Sequence, residues 1–151
     1  MPTSLRGIAE KAARDGKHRF GNLFGRLNPS FLLDSWRYLN KRSVPGIDRV
    51  DARAYGQDLE GHVEDLVERL KTGRYHAKLI RRHYIPKGKN EQRPLGIPST
   101  EDKLLQTGVK RILEAIYEPD FLSCNFGYRA GIGPQDAVKD LTQALQFGRY
   151  S

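Results

Sequence analysis

Between Tyr84 and Pro98 the chain reads Tyr-Ile-Pro-Lys-Gly-Lys-Asn-Glu-Gln-Arg-Pro-Leu-Gly-Ile-Pro, a polar tip between two short apolar arms. The tip holds Lys87, Lys89 and Arg93 against a single acid, Glu91. Cations on one stiff turn are suited to phosphate oxygens, because arginine offers a planar fork and lysine a compact point charge. A solvated basic tip is the competing reading of the same residues. Other reactive side chains form no recognisable set. The histidines (His18, His62, His76, His83) are scattered without ligand spacing, and the one cysteine, Cys124, allows neither a disulfide framework nor a thiolate zinc site. No P-loop occurs, and the glycines near Arg129 lack the leading strand and following acid of a dinucleotide fingerprint.

Several elements must hold that tip. Tyr84-Ile85 and Leu95-Gly96-Ile97 read as the arms of a β-hairpin with a longer loop. Pro86, Pro94 and Pro98 lack a backbone donor, so the strands must be short or lie at an edge. Ahead of the hairpin, Asp51 caps a helix with Tyr55, Leu59, Val63, Leu66, Val67 and Leu70 on one stripe and Gly73 as its stop. The acids on its other face (Asp58, Glu60, Glu64, Asp65, Glu68) read as a solvated surface. Behind the hairpin, Ser99 to Asp102 resembles a capping box with the shorter acid. The helix that follows is expected to bury Leu104, Leu105, Val109, Ile112, Leu113, Ile116 and Tyr117, and Pro119 ends it.

Further out, Asn28 and Pro29 open a helix carrying Phe31, Leu32, Leu33, Trp36 and Leu39, with Trp36 read as core. Pro134 opens a last helix, with Ala137, Val138, Leu141, Ala144 and Leu145 expected inward and a stop near Gly148. Residues 1–28 are basic and punctuated by glycine, with weak helical periodicity near Ile8 to Ala13, and a loosely ordered start is expected there. The rest, 29–151, reads as one unit.

The chain has 151 residues, a net charge of +8 and 38% hydrophobic residues, enough for one core. It has no apolar run of membrane-spanning length and no signal-type N-terminal segment, which points to the cytoplasm. Residues 71–93 carry eight basic side chains and one acid, beside Tyr75 and Tyr84. That block suggests a polyanion, since nucleic-acid affinity comes largely from neutralising phosphates. An acidic protein or a membrane surface fits the charge alone.

Several motifs stand in a telling order: Pro45-Gly46-Ile47-Asp48, Leu-Lys-Thr-Gly-Arg-Tyr at 70–75, Arg81-Arg82 leading into Ile85-Pro86-Lys87, and Arg-Pro-Leu-Gly-Ile-Pro at 93–98. Asp102, Lys103 and Gln106 follow, then Phe126-Gly127-Tyr128-Arg129 and Asp136-Ala137. Over residues 29–151 this resembles the N-terminal third of the reverse transcriptases, or maturases, encoded by bacterial group II introns. Ala130 departs from the pattern, standing where the family has proline.

The resemblance implies an α+β fold, helices packed on a small antiparallel hairpin, the fingers of a right-hand polymerase. It assigns Lys87 and Arg93 to the triphosphate of an incoming deoxynucleotide. Arg129 falls in a loop that shapes the template side, with a buried ion pair as its alternative. Arg81, Arg82 and Lys89 would meet nucleic-acid backbone, with a solvated surface the alternative for the two arginines. RNA, an RNA–DNA primer–template and a dNTP are the implied partners. The family's chemistry runs on two Mg²⁺ ions held by aspartates, one on a strand after the last helix and two in a Tyr-Ala-Asp-Asp turn. No such turn occurs in these 151 residues. The expectation is therefore a piece truncated before the catalytic aspartates, holding no metal and inactive alone. A non-enzymatic RNA-binding module and an inactive relic are the alternatives.

Overall fold

The computed structural model describes residues 3–88 and 91–148. Eight elements follow in order: α1 (Thr3–Arg14), α2 (Pro29–Ser35), α3 (Ala52–Tyr55), α4 (Leu59–Lys71), β1 (Arg81–Pro86), β2 (Gln92–Ile97), α5 (Thr100–Tyr117) and α6 (Pro134–Phe147). Single 3₁₀ turns follow α2, α3 and α5. The class is α+β, with one two-stranded antiparallel sheet among the described residues.

Helix α5 is the element on which the others assemble. It packs against α1 and α2, and α2 in turn packs against α4. Leu32, Val63, Leu66 and Leu104 are completely buried where these helices meet. Each such side chain contributes about 1.5–3 kcal/mol by leaving water, which is why the 3.6-residue stripe of α4 faces inward. The expected caps form. The Asn28 side chain accepts from Phe31 N at 3.0 Å and Asp51 from Ala54 N at 2.8 Å. Gly73, at φ +70°, supplies the left-handed residue that ends α4.

Four expectations need correction. The N-terminal segment does not begin loosely: residues 3–14 form α1, with Leu5, Ile8 and Ala12 buried against the body. The spacing of these three at i, i+3 and i+7 is a helical stripe that glycine punctuation obscures. The helix after Asp51 is interrupted, because Asp58 provides a second N-cap, accepting from Gly61 N at 3.2 Å. Third, α5 has two apolar stripes, and only one is covered. Leu104, Ile112 and Ala115 are buried together with Gly108 and Arg111, whereas Val109, Leu113 and Tyr117 are 37–53% exposed. That outer stripe lines an open apolar groove of about 540 Å³ with Phe121 and Tyr128. Helix α6 likewise buries none of its residues: Val138, Leu141 and Leu145 lie in the open. No helix among the described residues is long and apolar enough to cross a membrane.

Candidate nucleic-acid interface

The hairpin stands away from this body. Arg81 pairs with Ile97, His83 with Leu95, Ile85 with Arg93 and Pro86 with Gln92. Each strand is six residues long, more than the apolar arms alone predict. Both faces of this ribbon meet solvent along nearly its whole length, so no hydrophobic alternation is demanded and arginines join the ladder freely. Both strands are edges, which accommodates Pro86 and Pro94.

The pleat sorts the cations. Successive strand residues point to opposite faces, so Arg81, His83, Leu95 and Arg93 share one face, while Arg82, Tyr84 and Gln92 share the other. Arg81 and Arg82 therefore cannot reach the same phosphate. Along their common face, Arg81 at the root and Arg93 nearer the tip are four rungs apart, roughly 13 Å. Lys87 lies just beyond β1, where its backbone N–H bonds Glu91 O at 2.6 Å. Its ammonium stands 3.8 Å from the Glu91 carboxylate, and both side chains are mostly exposed, so this pair holds Lys87 only weakly. Among the described residues Arg81, Arg82 and Arg93 have no ion-pair partner. Lys89 lies outside the described residues.

A two-stranded hairpin is marginal in water by itself, so its root matters. That root is a polar network on the first turn of α5. Ser99 Oγ accepts from Asp102 N at 3.1 Å, as an N-cap does, and donates to Asp102 Oδ2 at 2.7 Å. The same carboxylate accepts from the Tyr75 hydroxyl and from Lys78 N, the latter at 3.3 Å. Asp102 is 3% exposed. Burial, and then the hydrogen bond to this carboxylate, push the Tyr75 phenol well above its ordinary range. The Pro45-Gly46-Ile47-Asp48 loop buttresses the other side. Asp48 Oδ2 meets Lys78 Nζ at 2.9 Å, and a Cβ on Gly46 would fall 2.7 Å from the Ser99 backbone. Only glycine permits that approach. Lys103 completes the buttress, donating to Ser43 Oγ at 3.2 Å and Val44 O at 2.5 Å, and burial lowers its pKa.

Next to this root, Glu101 accepts a two-pronged bond from Arg69, at 3.1 and 2.7 Å. Arg111 is 8% exposed, bonds Asp34 and Ser35 at 2.7 and 2.8 Å, and lies 4.1 Å from the Tyr38 ring centre. Neither pair is read from the sequence. The signal was an arginine or glutamate falling on the buried stripe of its helix, where an unpaired charge is not tolerated.

Arg129 is placed far from the hairpin in sequence and is engaged within its own loop. Its guanidinium bonds Glu118 Oε1 at 2.7 and 3.0 Å and the carbonyls of Leu122 and Asn125 at 3.3 and 3.0 Å. Arg129 is thus ion-paired, but not in the buried pair that was the alternative, since Glu118 is half exposed; the pair staples the loop after α5. Among the described residues no three histidine, cysteine, aspartate or glutamate side chains cluster so as to hold a metal ion.

No protein-family model matches the chain. Over 95% of its length it is 33% identical to the group II intron-encoded protein LtrA of Lactococcus lactis subsp. cremoris, of which it spans 25%. It is 32% identical, over 93% of its length, to protein YkfC of Escherichia coli K12, spanning 38% of that protein. A match of 34% identity over 52% of the chain reaches an uncharacterized 91 kDa protein in the cob intron of Schizosaccharomyces pombe. The chain spans well under half the length of these relatives. Similarity to LtrA along nearly the whole chain, joined by a match over about half of it to a fungal intron protein, places it in the family of group II intron-encoded proteins.

Proposed function

We propose that these 151 residues are the fingers portion of an RNA-directed DNA polymerase of group II intron type, and that the hairpin is their nucleic-acid contact. The observation that carries the reading is an arm with arginines on both faces that have no ion-pair partner among the described residues, rooted on a helical body. Such an arm neutralises phosphates on two sides at once. Arg81 and Arg82 contact backbone phosphates of an RNA or RNA–DNA primer–template from opposite faces of β1, and Lys89 extends that contact at the tip. Lys87 and Arg93, nearer the tip, face the triphosphate of the incoming deoxynucleotide, where cations offset the charge that gathers in phosphoryl transfer. Arg129 acts on the template side by holding its loop in shape.

The described residues offer no carboxylate cluster for magnesium, so no chemical step is assigned to them. In this reading they bind and position. A binding module for structured intron RNA, without polymerisation, uses the same arm and the same phosphate contacts.

The test is fluorescence anisotropy of a labelled RNA–DNA primer–template titrated with the chain at several salt concentrations. Binding should weaken steeply with salt, and the Arg81→Glu/Arg82→Glu variant should flatten the log–log slope by about two, one for each lost phosphate contact. Lys87→Glu/Arg93→Glu should chiefly weaken dNTP binding to the preformed complex. An Arg81→Glu/Arg82→Glu variant that binds as tightly as the parent would overturn the assignment of the arm. Equal affinity for a structured intron RNA, with no dNTP dependence, would favour the binding-module reading. Magnesium-dependent primer extension by the chain would overturn the reading that it binds and positions without catalysing.

A further inference from the structure

We infer that Asp102 is the positioning residue of the hairpin, one carboxylate that holds both ends of the arm and so fixes where its cations stand. The inference rests on the functional reading above, which needs the arm in a defined place. It follows from how unevenly the arm is supported. Beyond its root, the ribbon touches solvent on both faces, so packing does not set its direction. Hydrogen bonds from both ends of the arm converge on one buried group. Tyr75 and Lys78 precede β1 by six and three residues, Ser99 follows β2 by two, and all three donate hydrogen bonds to the Asp102 carboxylate. Asp102 itself belongs to α5, the central helix of the body.

An N-cap box explains only part of this. In that motif the acid of the first turn reaches back to the backbone N–H of the cap. Asp102 instead bonds the Ser99 hydroxyl, and it spends its remaining acceptor capacity on segments 24 and 27 residues earlier in the chain. A carboxylate accepts up to about four bonds, whereas an amide oxygen accepts two. Asparagine therefore fits the space, yet cannot serve all three donors. The neighbouring acid, Glu101, is engaged by Arg69 and cannot take over. Lys78 adds a second tie through its side chain to Asp48, which makes the entering end of the arm doubly held.

The experiment compares the chain with Asp102→Asn and Tyr75→Phe. Spin labels are attached at Gln92→Cys on β2 and Glu64→Cys on α4, both exposed, in a Cys124→Ser background. Pulsed electron resonance then gives the distribution of arm-to-body distances. We expect a broadened distribution in both variants, more in Asp102→Asn, with helical circular dichroism retained. Affinity for the RNA–DNA primer–template should fall about two- to tenfold through lost pre-organisation, with the salt slope unchanged because no phosphate contact is removed. A role in folding alone would lower the melting point without widening the distribution. An unchanged distribution in a folded Tyr75→Phe and Asp102→Asn overturns the inference, whatever the binding data. If the parent chain binds no nucleic acid, the functional reading fails while the distance measurement still decides the role of Asp102. Should Asp102→Asn fail to fold, Tyr75→Phe carries the test, since it removes one donor and leaves the carboxylate.

Discussion

The helical body and the hairpin arm obey different rules although they are joined through a single helix turn. In the body, position follows from burial: Leu32, Leu66 and Leu104 sit where water is excluded, and the helices have no freedom to rotate without exposing them. In the arm almost nothing is buried, and placement depends on a few polar bonds at the root. The body tolerates surface charge and resists core change. The arm should do the reverse. This contrast suits a part that must offer arginines to a polyanion, because an arm packed into the body would have its cations neutralised or desolvated.

The sharpest way to break the comparison is a pair of leucine truncations. Leu104→Ala removes a completely buried side chain and should cost about 2–5 kcal/mol, depending on how far the cavity relaxes. Leu95→Ala, on a half-exposed position of β2, should stay within about 0.5 kcal/mol. Urea unfolding followed by circular dichroism measures both. Equal losses would mean that the arm is packed as tightly as the body, and the contrast would collapse.

A smaller effect is expected at the seam between the two regions. Gly46→Ala would bring a methyl group within 2.7 Å of the Ser99 backbone, with no flexible side chain there to yield. Overpacking of this kind costs about 1–3 kcal/mol. The loop must then back away from Ser99, so Thr100, which bonds Val50 O at 2.5 Å, should lose that partner as well. Hydrogen exchange at residues 46–50 and at the start of α5 would show faster opening. Unaltered protection there would mean that the loop lies beside the root without supporting it.

How much of this was legible in the sequence follows from the same contrast. Elements with a buried face announced themselves, α1 excepted. The caps at Asn28 and Asp51, the stripe of α4 and the stop at Gly73 were all readable, because each satisfies a local rule of period or backbone donor. The hairpin was readable from its turn and prolines, although its length was not, since a ribbon in solvent imposes no alternation on Arg81, Arg82 or Gln92. What stayed hidden is long-range. Ser99 and Asp102 looked like a local cap, and nothing in their spacing shows that Tyr75 and Lys78 bond the same carboxylate. The two stripes of α5 could not be ranked either: Val109 and Leu113 are as apolar as Leu104, and only the placement of α1 and α2 decides which stripe is covered. For α6 the apolar spacing promised an inward face that these residues do not provide.

The finest test of the contrast uses proton linkage at the seam. The phenols of Tyr55 and Tyr75 are both pushed above their ordinary value of 10.0, chiefly by burial. For Tyr55 the negative charge of Glu101 adds to this, and for Tyr75 the hydrogen bond to Asp102 does. The folded chain thus keeps both protons where the unfolded chain releases them. Stability from these groups is fully present below pH 10 and is lost as pH rises above it, because there the unfolded state binds fewer protons. Tyr55 belongs to the body and Tyr75 to the approach to the arm, so the two should separate. As pH rises above about 10 the parent chain should lose stability with a slope of up to two protons. Tyr75→Phe should start from a lower plateau, having lost its bond to Asp102, and then fall with roughly half that slope. An alkaline slope identical to the parent's would mean that Tyr75 ionises as freely in the fold as in the open chain, and that its hydroxyl is not held at the root of the arm.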